Sequence, residues 1–273
     1  MEDTRMRADV ALCARGLAAS REKAQGLIEA GLAFADGKCI LKASQKIEAD
    51  AELTVQGDFC PYVSRGGFKL EKALKCFGVD VSRKVCMDVG ASTGGFTDVL
   101  LQNGADYVYA IDVGTGQLDA KIESDARVCK MEQTNARTLT AEMFPRRPEL
   151  AVMDVSFISV LKILPALRAV LGESGRVISL IKPQFEAGKA QLGKKGVISN
   201  AAVHESVLRS IAANAPETGW RVRAFEFSPI VGTQGNLEFL AEFVPDGGTE
   251  AMIDPKAIRE LVQAAHRELK KKK

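Results

Sequence analysis

The chain has no apolar run approaching 18 residues and no apolar signal core behind its polar N-terminus. Neither a membrane-spanning helix nor export by the usual route is expected, so no membrane partner is either. Histidine is scarce, with only His204 and His266, and the six cysteines (13, 39, 60, 76, 86, 129) include no Cys-x-x-Cys pair. That set predicts no metal site, and reduced thiols in a cytoplasm. A dominant charge is also missing: 37 Lys+Arg face 35 Asp+Glu, for a net +2. Nucleic acid cannot be drawn in by a global field, only by local clusters. Two clusters qualify: Arg5, Arg7, Arg15, Arg21 and Lys23, and Lys182, Lys189, Lys194 and Lys195 against the single acid Glu186. A solvated surface is the alternative for each. No Gly-Lys-Ser/Thr follows the glycine-rich turn described next, which argues against nucleoside triphosphate hydrolysis.

What is there is an ordinary globular composition, 46% hydrophobic and 26% charged, over 273 residues. That length accommodates one large domain and one small one. The central stretch is Val85-Cys-Met-Asp-Val-Gly-Ala-Ser-Thr-Gly-Gly-Phe-Thr97. Val85 to Val89 reads as a short apolar strand and Gly90, Gly94 and Gly95 as a turn. Phe96, Val99 and Leu100 then recur at helical spacing as far as Gly104. Such a turn presents backbone N–H groups to a ligand lying across it. The next strand, 106–111, ends at Asp112, where a carboxylate can bind both hydroxyls of a ribose.

The alternation continues. A helix is expected near 115–123, a strand at 127–130, a strand from Leu150 to Asp154 and a helix from about 158 to 170. A strand at 176–181, a helix at 202–213 and strands at 221–227 and 237–243 follow. This predicts an α/β, doubly wound, mostly parallel sheet that closes on an antiparallel hairpin. An amphipathic helix carrying Ile258, Leu261, Val262, Ala265 and Leu269 ends the chain.

Ahead of the sheet, residues 7–16 read as a helix ending at Gly16. Ser20 is an N-cap for a second helix that stops at Gly31, and Asp36-Gly37 turns a hairpin. Residues 1–58 thus form a small α+β module, 59–64 a linker with Pro61, and 65–273 the large domain. Ser64-Arg65-Gly66-Gly67 precedes a helix from Phe68 to Leu74, and an arginine followed by glycines leaves room for a phosphate to approach. The first module resembles the RNA-binding domain of ribosomal protein S-four, on Arg5, Arg7, Ser20-Arg21, Leu27-Ile28, Gly31 and Asp36-Gly37. That resemblance implies RNA binding through a basic helix face; a protein-docking module of the same shape is the alternative.

Candidate chemistry gathers at the sheet's carboxyl edge. Asp154 ends a strand in Asp-Val-Ser-Phe, Lys182 ends the next in Ile-Lys-Pro-Gln-Phe-Glu, Glu238 sits in the last strand, and Lys69 comes from the helix before the sheet. The order Lys69, Asp154, Lys182, Glu238 is similar to the tetrad of FtsJ-related ribose 2′-O-methyltransferases. With the N-terminal module, the chain resembles the haemolysin A (TlyA) family of rRNA 2′-O-methyltransferases from Arg5 to Phe243. The resemblance implies S-adenosylmethionine as cofactor, ribosomal RNA and ribosomal subunits as partners, cytidine ribose as acceptor, and no obligate protein partner. Lys182 is then expected to take the hydroxyl proton, helped by burial and a second lysine, both of which disfavour an ammonium. Lys69 orients the ribose, Asp154 sits between cofactor and lysines, and Glu238 orients a lysine or the hydroxyl. Asp88, Gly90, Ala91, Ser92, Thr93, Gly94, Gly95, Phe96 and Thr97 line the methionine end, Asp112 binds the ribose and Val113 lies against adenine. Asn135 contacts the adenine edge or caps its own loop. Arg65 and Lys189 join the RNA-binding set, and the segment from Lys189 to Gly196 reads as a flap over RNA.

Two other acceptor chemistries fit the sequence less well. Exocyclic amino methylation uses an Asp/Asn-Pro-Pro-aromatic turn where this chain has Asp-Val-Ser-Phe, and pyrimidine carbon methylation needs a cysteine there. A membrane-lytic protein lacks its spanning segment, and a noncatalytic ribosome-assembly factor is the remaining rival.

Overall fold

The computed structural model describes residues 5–18, 20–29, 31–56, 60–188, 191–193, 196–232, 235–247 and 253–270. The chain divides into two compact units, Met1–Pro61 and Tyr62–Lys273.

In the first unit, β1 (Met6–Arg7) leads into α1 (Ala8–Ala14), and α2 (Arg21–Glu29) follows. Ser20 caps α2 by accepting the Lys23 N–H at 3.2 Å, and Gly31 leaves it at φ +68°. β2 (Ala33–Ala35) and β3 (Lys38–Cys39) form the expected hairpin, with Asp36 and Gly37 both at positive φ, as a two-residue turn requires. β4 (Lys46–Ile47) pairs with β1, and β5 (Leu53–Val55) pairs with β2, both antiparallel. The pairing of β1 was not foreseen, because two residues carry no periodicity. Ala8, Leu12, Leu27, Ile28 and Ile40 close a small core of their own.

The second unit is a seven-stranded sheet. Its strands are β6 (Val85–Val89), β7 (Tyr107–Ile111), β8 (Val128–Met131), β9 (Leu150–Met153), β10 (Arg176–Ile181), β11 (Trp220–Phe227) and β12 (Phe239–Pro245). They lie in the order β11-β12-β10-β9-β6-β7-β8, and only β12 runs antiparallel to its neighbours. Alternation along each strand explains the two-faced core. Cys86, Val108, Val152, Ile178 and Leu240 face α3 (Gly67–Phe77) and α4 (Gly95–Gln102). Their neighbours Met87, Tyr109, Ala151, Val177 and Phe239 face α6 (Leu164–Leu171), α8 (Ala201–Asn214) and α9 (Pro255–Lys270). Gly78, left-handed at φ +63°, ends α3 as expected.

Three expected boundaries are corrected. The helix foreseen over 115–123 is only α5 (Ala120–Glu123). Gly116 takes φ +63°, and Asp119 begins the helix by accepting the Lys121 N–H at 2.9 Å. The helix foreseen from 158 is a 3₁₀ turn (Val160–Lys162) followed by α6. Pro165 has no N–H to continue a ladder, so it belongs in a first turn. Glu238 lies just before β12 instead of within it, its carbonyl accepting the Ser228 N–H at 2.9 Å. A short helix after Lys182, α7 (Pro183–Glu186), was not anticipated.

Because β12 runs against β10, its start lies at the edge where β6, β7, β9 and β10 end. The Gly90 turn, Asp112, Asp154, Lys182 and Glu238 therefore share one rim of the sheet.

Candidate active site

At the end of β6 the chain must turn sharply beside β9. Gly90 does so at φ +84°, where a Cβ would come within 2.6 Å of the Asp154 carbonyl oxygen. Glycine is required there on both counts. Gly94 follows at φ +91° and opens α4, and a Cβ on Gly95 would strike Ser64 Oγ. The backbone of the turn is thus held close to the segment leading into α3.

Two adjoining cavities open along this rim. The larger, about 800 Å³, is lined by Gly90, Asp112, Val113, Asn135, Phe157 and Phe185 among others. The smaller, about 290 Å³, gathers Ser64, Gly66, Lys69, Lys182 and Glu238 beside Ala91, Thr93, Gly95 and Phe96. Gly90, Ser92, Asp154 and Ser156 belong to both walls.

The smaller recess holds all four tetrad residues. Lys69 Nζ lies 2.7 Å from Glu238 Oε2 and 3.8 Å from Asp154 Oδ2, and Lys182 Nζ lies 2.6 Å from Asp154 Oδ1. Lys182 also donates to Ser156 Oγ at 2.8 Å. The charges alternate as Glu238, Lys69, Asp154, Lys182, with Asp154 touching both amines, and this limits the cost of gathering four charges. Glu238 is 2% exposed, and burial raises its carboxyl above the ordinary range, while Lys69 pulls it back. Gly232 packs directly on that carboxylate; a Cβ there would sit 1.9 Å from Oε1.

The larger cavity has the fittings for a nucleoside. Both oxygens of Asp112 already accept backbone N–H groups, from Ser92 and Gly114, each at 2.8 Å. Each oxygen keeps a lone pair, so the carboxylate is fixed in place and can still receive two ribose hydroxyls. Val113, 71% exposed, offers an apolar surface to a base. Asn135 lines the cavity, and its side chain caps the following turn by accepting the Arg137 N–H at 3.1 Å. The capping alternative is thus realised without removing Asn135 from the wall.

Two expected cofactor residues are fully buried. Asp88 and Thr97 pair there, where Thr97 Oγ1 donates to Asp88 Oδ2 at 2.7 Å. Their pairing ties β6 to the first turn of α4. Burial pushes the Asp88 carboxyl up to about 7. Sequence reasoning missed Ser156, Phe157 and Phe185. The signal available for Phe157 was its place next to Asp154 in the Asp-Val-Ser-Phe motif.

The basic residues of the first unit are less free than their spacing suggested. Arg7 and Arg21 both donate to the buried Asp9, each at 3.0 Å, and together with Gln25 they hold its carboxyl well below the usual range. Arg15 is tied to the carbonyls of Ala49 and Ala51, Arg5 lies 3.9 Å from Glu48, and Lys23 is exposed. Arg65, in the second unit, is exposed between Ser64 and Gly66 of the smaller recess. Lys189, Lys194 and Lys195 lie outside the described residues, and with them half of the expected flap.

The model of FtsJ-like methyltransferases matches residues 62–243, most of the chain. The chain belongs to that family. Over 276 residues this methyltransferase is 46% identical to a Bacillus subtilis (strain 168) protein described as a candidate rRNA methyltransferase, YqxC, covering 100% of this chain and 98% of that one. It is 43% identical over 236 residues to the 16S/23S rRNA (cytidine-2′-O)-methyltransferase TlyA of Mycobacterium tuberculosis (strain ATCC 25618 / H37Rv), covering 86% and 88%. A solved structure from Streptococcus thermophilus, described as a candidate hemolysin, is 45% identical with a TM-score of 0.77 over 98% of both chains. These relatives place the methyltransferase in the TlyA family. Its donor is S-adenosylmethionine, which the fixed Asp112 carboxylate, the glycine turn and the open face of Val113 fit. Among the described residues no helix is long and apolar enough to cross a membrane.

Proposed function

We propose that this methyltransferase modifies the 2′-hydroxyl of a ribose in ribosomal RNA, at cytidine as in the mycobacterial relative's name, and does so in the cytoplasm. The observation that carries this reading is the meeting of Lys69, Asp154, Lys182 and Glu238, far apart in sequence, in one recess beside a nucleoside-sized cavity. S-adenosylmethionine supplies a methyl group on a cationic sulfur, already activated toward a nucleophile.

The protein's task is to present the hydroxyl and remove its proton. Lys182, as the free amine, takes that proton during attack, and Asp154 holds the resulting ammonium. Lys69, between Glu238 and Asp154, donates to the oxygen as negative charge develops there. Glu238, 2.7 Å from Lys69, keeps that amine's charge beside the hydroxyl. Asp112 and Val113 hold the nucleoside of the donor, with Asn135 at the base edge. Residues 1–58 bind RNA through Arg5, Arg7, Arg15, Arg21 and Lys23, and Arg65, beside the catalytic recess, and Lys189 add to that contact.

The test is transfer of labelled methyl from S-adenosylmethionine to ribosomal subunits purified from cells lacking this protein. The wild type should place the label on a ribose oxygen, read as resistance of one phosphodiester to alkali. Lys182→Ala should lose about a hundredfold or more in turnover, as removal of a positioned base does, while the affinity for S-adenosylmethionine is retained. Equal turnover in the variant would remove Lys182 from the mechanism. No labelling by the wild type would leave a noncatalytic RNA-binding protein.

A further inference from the structure

Lys182 makes two contacts of different kinds. Its Nζ lies 2.6 Å from Asp154 Oδ1, but off the axis of a full hydrogen bond. Its aligned hydrogen bond runs to Ser156 Oγ at 2.8 Å. Ser156 is exposed, follows Asp154 by two residues, and belongs to the walls of both cavities.

Charge and direction are separate requirements on a base. A carboxylate attracts an ammonium from any angle, so Asp154 leaves the nitrogen free to spin about its Cε–Nζ bond. One aligned N–H···O contact stops that rotation and fixes the two remaining tetrahedral positions on nitrogen. In the free amine one of those positions is the lone pair. An untethered lone pair samples all three, and orientation is a large part of what a positioned base contributes.

We propose that Ser156 is a positioning residue for the methyl transfer. Its hydroxyl accepts an N–H from Lys182 and so aims the amine's lone pair at the ribose hydroxyl. The inference rests on the function proposed above. In the step itself, the ribose O–H bond breaks and the proton goes to the lone pair of Lys182 Nζ, which becomes an ammonium. The oxygen's electron pair forms the new bond to the methyl carbon, and the methyl–sulfur bond breaks with its pair left on sulfur. Ser156 exchanges no proton. It accepts an N–H before and after, more strongly once the nitrogen is charged.

Ser156→Ala and Ser156→Thr in the full chain test this, with Lys182→Ala as reference. Ser156→Ala should lower kcat about tenfold to a hundredfold, the scale of one hydrogen bond to a charged group. KM for RNA and the Kd for S-adenosylmethionine should stay within about twofold, since only the transition state has lost an interaction. Ser156→Thr, which keeps the hydroxyl, should restore most of the rate. A second readout needs neither cofactor nor RNA: the Nζ–H signal of Lys182 in nitrogen-15 NMR, assigned with Lys182→Ala. It should be sharp in the wild type and broadened in Ser156→Ala by faster exchange with water. An unchanged kcat, a change confined to KM, or an Nζ–H signal indifferent to Ser156 would each overturn the inference. Should the wild type methylate no RNA, the proposed function fails, and the NMR signal still decides whether Ser156 holds Lys182.

Discussion

Phe157 departs from the behaviour of ordinary residues in two ways. It is 89% exposed, and its backbone takes φ +66°, a region that costs a bulky L-residue roughly 1–2 kcal/mol. Its ring stands 4.8 Å from that of Phe185 at the mouth of the larger cavity. Strain and an uncovered aromatic together mark a residue kept for a ligand and not for folding. Phe157→Gly relieves the backbone and removes the ring, so thermal stability should be unchanged or higher. KM for RNA should rise about fivefold to a hundredfold, the worth of one base stacked on an aromatic ring. A loss of stability with unchanged KM would make the ring structural. Asp88 shows the reverse case, a fully buried carboxyl. Its folded value of about 7 lies above the ordinary 3.8, so the folded state holds its proton more tightly. Stability from this group is fully present below about pH 4 and is lost as pH rises toward 7, at up to about 1.4 kcal/mol per pH unit. Asp88→Asn keeps an acceptor for Thr97 and cannot titrate. Urea midpoints between pH 5 and pH 8 should therefore fall less in this variant than in the wild type.

At the scale of elements, the turn after β6 governs the site. Gly90→Ala would add a Cβ into the Asp154 carbonyl at a positive φ, forcing β6 and β9 apart where both cavities meet. Expected is a loss of about 2 kcal/mol or more in stability together with lost S-adenosylmethionine binding, measured by denaturation and calorimetry. Binding unaltered in the folded variant would show that the turn does not shape the cavity. This turn was legible because strand, glycines and helix each leave a strong local signal, and the mostly parallel sheet followed from their alternation. Asp154 and Lys182 were legible as strand ends on the rim, whereas Lys69 and Glu238 joined them through the resemblance of their order to the FtsJ-related tetrad. What stayed hidden depended on contacts between distant residues. Asp88 reads in sequence like any polar residue next to a glycine turn, and only Thr97, nine positions on, draws it inward. Ser156 reads as a loop serine until Lys182 is brought to it. The missing half of the 115–123 helix was lost to Gly116 and Asp119, whose turn chemistry outweighs an apolar spacing.

For the whole molecule, a net charge of +2 must be reconciled with a polyanionic substrate. The first unit carries 8 Lys+Arg against 10 Asp+Glu, yet it places them unevenly. Asp9 is buried between Arg7 and Arg21, which remain 42% and 60% exposed, so one hidden acid orders two accessible guanidinium groups. A pair held this way has already given up its side-chain freedom, which lowers the entropy cost of gripping a phosphate. If this unit supplies the RNA grip, the triple variant Arg7→Ala, Arg21→Ala, Lys23→Ala should weaken binding to ribosomal RNA at low salt. It should also flatten the plot of log affinity against log salt by roughly 0.7 to 0.9 for each phosphate no longer neutralised. Binding of S-adenosylmethionine should be unchanged, since the residues that line both cavities belong to the second unit. An unchanged salt slope would assign RNA recognition to the catalytic unit alone and leave the first unit as a protein-docking module. A circular dichroism spectrum identical to that of the wild type separates a weakened phosphate grip from unfolding, since removing both arginines also strands Asp9 in the core.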